Sequence, residues 1–225
     1  MFIGHYAPAF AAAAVSRKSP PLAVLVIAVQ VLDFAFFSFA LAGAEHYRLV
    51  PGFTASNWLD LHDMPYSHSL LGAGVLGALF GGLVLAITRS GAAAGIAFAC
   101  VLSHWFADFI VHAPDLTLAG SPPKLGLGLW NHPLPERALE VVLAFGTLAF
   151  YASRTRAAGP RSGLFLGLFA GFLALFQVAD WFGPRTTEVS AAQPLLALFA
   201  FTVLAGLALL VEATRSKISE TQRFS

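Results

Sequence analysis

Apolar residues run along this chain in blocks of about twenty, separated by short connections that carry its charges, prolines and histidines. The blocks cover 21–42, 68–88, 91–112, 137–153, 162–182 and 193–213. Each approaches the roughly 20 residues that a helix needs to cross about 30 Å of hydrocarbon. The pattern predicts an all-α, polytopic membrane helix bundle with about six transmembrane helices. Residues 3–15 form a further apolar piece, too short for a comfortable span and with no basic stretch ahead of it. That is not the usual pattern of a cleavable signal peptide. It predicts a short N-terminal helix packed into the bundle, with His5 reaching the interior.

The composition narrows this further. With 57% hydrophobic and 11% charged residues in 225, and a mean hydropathy of +0.74, disorder is excluded and a soluble domain is disfavoured. We expect a single integral membrane domain, 1–225. A net charge of +1 gives no reason to expect a nucleic-acid partner. The lone cysteine, Cys100, excludes an internal disulfide framework and reads as packing. Arg17, Lys18, Arg89, Arg154, Arg156, Arg161, Arg215, Lys217 and Arg223 fall on one side of the predicted spans, and only Arg48, Lys124, Arg137 and Arg185 on the other. The positive-inside rule then puts the 154–161 loop and a tail, 214–225, in the cytoplasm, as in a bacterial inner-membrane protein. Loops 43–67, 113–136 and 183–192 face outward. Glycine spacing predicts close helix approach at Gly77 and Gly81, and at Gly163, Gly167 and Gly171.

Polar side chains inside the apolar blocks carry the candidate chemistry. Residues 103–115 read Ser-His-Trp-Phe-Ala-Asp-Phe-Ile-Val-His-Ala-Pro-Asp. At roughly 100° per residue, His104, Asp108 and His112 fall within about 80° of one another on a helix. Asp115 follows just past the end that Pro114 imposes. Ionisable groups at bilayer depth cost roughly 2.5–3.5 kcal/mol each on insertion scales, so they usually serve a function. Four other pieces can converge on this stripe: Gly4-His5; Asp33, with Gln30 one turn earlier; the loop His62-Asp63-Met64-Pro65-Tyr66-Ser67-His68-Ser69; and Glu136, with Glu140 one turn deeper. In that loop Ser67 or Ser69 can cap the next helix and orient His68. Imidazoles and carboxylates without thiolates suit zinc, manganese or iron, and their number leaves room for one ion or two.

On these residues the chain resembles the bacterial inner-membrane metal-dependent hydrolases, the LexA-regulated type and its relatives. That family is distantly similar to the zinc phospholipase C and single-strand nuclease superfamily. Gly4-His5 matches its N-terminal Gly-His, and Ser103-His104 with Asp108 matches its Ser-His-x-x-x-Asp. Ser67-His68-Ser69 is close to its Thr-His-Ser, and Glu136-Arg137 matches its late Glu-Arg. The match covers residues 4 to about 140. Two motifs depart. The family's Pro-Asp-x-Asp-His is here Leu32-Asp33-Phe34-Ala35-Phe36, with only the first acid. The histidine that opens its loop motif is replaced by Asp63, with His62 beside it.

The resemblance implies a membrane-embedded hydrolase of a phosphoester or phospholipid. Its divalent metal, zinc first, would be held within 1–140 by His5, Asp33, His68, His104, Asp108 and Glu136. Asp63 or His62 would contribute, and His112 or Asp115 would act as general base or in support. The expected partners are membrane lipid and a small phosphoester substrate. The alternative is a proton- or cation-coupled transporter that uses the buried acids and histidines as a relay, and a scaffold with a structural metal is a third reading.

Overall fold

The computed structural model describes residues 1–217, so the end of the expected tail, including Arg223, lies outside the described residues. The chain is mostly helical. After a 3-10 turn at Ile3–Tyr6 come α1 (Ala7–Val15), α2 (Leu22–Ala28) and α3 (Val31–Leu41). A hairpin of β1 (His46–Leu49) and β2 (Leu59–Asp63) leads into α4 (Leu70–Thr88) and α5 (Gly91–Val111). Then follow α6 (Pro133–Arg154), β3 (Thr155–Ala157), α7 (Ser162–Phe182), α8 (Ala192–Ala213) and β4 (Arg215–Lys217).

Among the described residues, α4, α5, α7 and α8 are each long and apolar enough to cross a membrane, and α2 with α3 makes a fifth if the bent pair is one span. This fits an integral membrane protein, with four or five such helices where the apolar blocks predicted six. Two blocks account for the difference. The first is broken at Val29–Gln30, where its halves meet at 52°. The fourth is a 22-residue helix, α6, that carries Glu136, Arg137, Glu140 and Arg154. Its buried side chains at 136, 140, 144 and 148 repeat every four residues, so two carboxylates share the inward stripe with Ala144 and Leu148.

The α4–α5 hairpin is the tightest pairing. Ser69 caps α4 by accepting the Gly72 N–H (3.0 Å), and Ser90 caps α5 by accepting the Ala93 N–H (3.2 Å). A Cβ at Gly81 would lie 3.0 Å from the Ala94 carbonyl oxygen, and one at Gly77 3.0 Å from the Phe98 ring. The glycine prediction holds there. It fails at Gly163, Gly167 and Gly171, where a Cβ would meet open space. Outside the hairpin, α1 packs on α6, and α2, α3 and α7 pack on α8. Leu71, Val75, Leu79 and Leu83 form an exposed apolar stripe on α4, as a lipid-facing surface would.

The connections sort to two ends. At one, β3 pairs with β4, and the Lys217 ammonium donates to the Ser16 carbonyl and the Ser19 hydroxyl (2.8 Å to the latter). At the other, the Ser56 N–H donates to the Trp130 carbonyl (2.9 Å), Leu70 N–H to Thr117 (2.9 Å) and the Arg185 guanidinium to the Ser56 carbonyl (2.8 Å). The three loops expected on one side therefore meet one another.

Candidate metal centre

Helical spacing brings the first two ligands together. His104 and Asp108 lie one turn apart on α5, both 1% exposed, with His104 Nε2 3.0 Å from Asp108 Oδ2. The chain turns extended at His112 ahead of Ala113-Pro114, and His112 Nε2 still comes within 3.2 Å of Asp108 Oδ1. The other ligands arrive from elsewhere. His5 on the N-terminal turn places Nε2 3.0 Å from Asp108 Oδ1. His68, just before α4, places Nε2 3.5 Å from both Asp33 Oδ1 and Asp108 Oδ2. Asp33 Oδ1 is also 3.5 Å from His104 Nε2. The amino group of Met1 donates to Asp108 Oδ1 at 2.8 Å.

Three of the imidazoles are held by the nitrogen that faces away from this centre. His104 Nδ1 donates to the Val29 carbonyl (2.6 Å), and His112 Nδ1 donates to Asp115 Oδ1 (2.9 Å). His68 Nδ1 lies 2.8 Å from Ser67 Oγ. Carbonyl and carboxylate oxygens only accept, so they fix the proton on Nδ1 and leave the Nε2 lone pair facing inward. That is the arrangement in which a histidine binds a metal. The bend between α2 and α3 supplies one of these acceptors, since Val29 sits at the break.

The donor set is one that can hold a metal ion. His5, His104 and Asp108, and likewise Asp33, His68 and His104, offer ligand atoms that lie within 4.8 Å of one another. His5 Nε2 and His104 Nε2 reach only Asp108 carboxylate oxygens, and His5 Nδ1 is buried with no hydrogen-bond partner among the described residues. Orphaned buried polar atoms are costly, and a cation would satisfy them. The two sets share His104, and one Nε2 lone pair serves one ion.

Comparison with family models, with curated proteins and with solved structures returns no match for this chain.

The structure does not gather every residue expected at the site. Asp63, on β2, bonds instead to His46 Nδ1 (2.7 Å), with both side chains about half exposed. His62 turns its Nδ1 to the Asp60 carbonyl (3.3 Å). Neither belongs to a ligand group or lines the cavity beside the cluster, so the loop histidine and its neighbour are hairpin residues here. Glu136 lines that cavity but lies outside the ligand groups, and its carboxylate accepts from the Ser56 hydroxyl (3.4 Å). Its neighbour Glu140 accepts the Phe2 N–H (2.9 Å) and the Gly4 N–H (3.0 Å), and Gln177 accepts the Ile3 N–H (3.1 Å). These bonds hold the turn that carries His5. Asp115 and His112, expected as base or support, form a pair in which Asp115 does the supporting.

The cavity itself is about 400 Å³. Asp33, His68, Asp108 and His112 form its polar end, while Phe37, Phe176, Leu196 and Phe201 line an apolar wall. Trp58, Trp130, Trp181 and Arg185 line it too.

Proposed function

We propose that this protein is a membrane-embedded, metal-dependent hydrolase that acts on a phosphoester carried by a membrane lipid. The observation that carries the proposal is the convergence of imidazole Nε2 atoms on two aspartates, with three of the rings fixed by their outward nitrogens. His5, Asp33, His68, His104 and Asp108 would hold the ion, zinc first, with His112 available to a second. A divalent ion there would acidify water and polarise a phosphoryl oxygen. Asp33, the most accessible ligand, would face the substrate from the cavity. The apolar wall would take the hydrocarbon part of an amphiphile.

The resemblance to the inner-membrane metal-dependent hydrolases supports the same reading. In that reading α6 completes a set of six spans, and the site opens on the outer face of the bacterial inner membrane with the C-terminus in the cytoplasm. The test uses purified protein in mixed micelles with a chromogenic phosphodiester and with phospholipid. Turnover should be abolished by a strong chelator, restored by zinc, manganese or iron, and lost in His104→Ala. Metal-loaded protein that hydrolyses no phosphoester, but drives gradient-dependent cation uptake in proteoliposomes, would replace this proposal with the transporter.

A further inference from the structure

Glu45 lies just beyond α3, where Gly43 takes a left-handed conformation (φ 72°) and lets the chain turn back. It is 1% exposed. Its carboxylate accepts the N–H groups of Tyr66 and Ser67, both at 2.8 Å, and the Ser67 hydroxyl at 2.5 Å. No cation partners it among the described residues. Backbone amides would satisfy such a group locally, but they do not neutralise a buried charge, which is expensive when unpaired. The third donor is the informative one. Because the Ser67 hydroxyl gives its proton to Glu45 Oε2, its oxygen is left to accept, and the group 2.8 Å away is His68 Nδ1.

We infer that Glu45 and Ser67 form a relay that fixes the orientation and tautomer of His68, presenting its Nε2 lone pair to the metal. The inference rests on the metal-centre reading above. Glu45 and Ser67 are positioning residues, as neither reaches the cluster itself. The relay does for His68 what the Val29 carbonyl does for His104 and Asp115 does for His112. Outer partners of this kind are worth roughly 10–100-fold in metal affinity.

The direction of the hydrogen bonds sets apart two substitutions. Ser67→Ala removes the link and leaves His68 Nδ1 without a partner. Glu45→Gln is nearly isosteric, but an amide nitrogen at the Oε2 position donates to Ser67 Oγ. The serine proton then turns to His68 Nδ1 and forces the proton onto Nε2, the wrong nitrogen for a ligand.

Zinc affinity, measured by competition with a chromophoric chelator in detergent, tests this on the wild type, Ser67→Ala and Glu45→Gln, each also combined with His68→Ala. The relay predicts a loss of about 10–100-fold in Ser67→Ala, at least as large a loss in Glu45→Gln, and no further effect of either once His68 is alanine. Wild-type affinity in both single variants overturns the relay and leaves the metal centre standing. Equal losses with and without His68 also overturn it, and make Glu45 a tie for the 64–67 loop. A wild-type protein that binds no zinc, manganese or iron overturns the metal centre and the relay together.

Discussion

What separates His104 from His46 is the company of its second nitrogen. His104, His68 and His112 each have Nδ1 engaged at 2.6–2.9 Å and Nε2 aimed at an aspartate, whereas His46 spends its Nδ1 on an exposed carboxylate, Asp63. The α5 stripe was legible in the sequence because helical period alone places 104, 108 and 112 on one face. The role of Ser67 and Ser69 was legible as a pair, and the structure divides it: Ser69 caps α4, and Ser67 holds His68. The Val29 carbonyl left no trace, since a backbone acceptor has no residue type. Glu45 had none of the periodicity that marks a helix face and was missed. The same limit explains Asp63, whose place in a motif looked right while its strand turns it elsewhere. Asp33→Asn should therefore weaken zinc binding at least tenfold, and Asp63→Asn should leave it within twofold, in the same chelator competition. The reverse order would restore the loop acid to the site.

At the scale of elements, the apolar blocks located nearly every long helix, but the two that matter most to the site were partly hidden. Nothing in the run 21–42 announces a 52° bend, except that polar Gln30 sits at it. In α6 the one-turn spacing put Glu136 and Glu140 on one face, but it did not tell that Glu140 would hold the N-terminal turn. Small-residue spacing is equally ambiguous. GxxxG permits close approach without saying which helix comes near. Gly81→Ala should lower the melting temperature in detergent, by about 1–3 kcal/mol of overpacking, because the Ala94 backbone cannot yield as a side chain can. Gly167→Ala, on an open face of α7, should leave the melting temperature unchanged or raise it, with up to ~1 kcal/mol of added stability from helix propensity. Equal losses in the two would mean that α7 packs on a partner through its glycines.

The whole molecule separates its chemistry by end. The basic 16–19 segment, β3 and β4 gather at one pole, and the hairpin, the 113–132 connection and the loop around Arg185 gather at the other, over the cavity. That division was readable from the distribution of lysine and arginine, while the depth of the cavity and the apolar wall along α3, α7 and α8 required the fold. The proposed function depends on the buried imidazoles and aspartates holding a cation. Elemental analysis of detergent-purified protein tests it most directly, with wild type beside the His104→Ala/Asp108→Ala double variant. About one or two equivalents of zinc, manganese or iron in the wild type, lost in a variant that still folds, is the predicted result. A wild type free of metal, prepared under conditions that preserve bound metal in other metalloproteins, would contradict it.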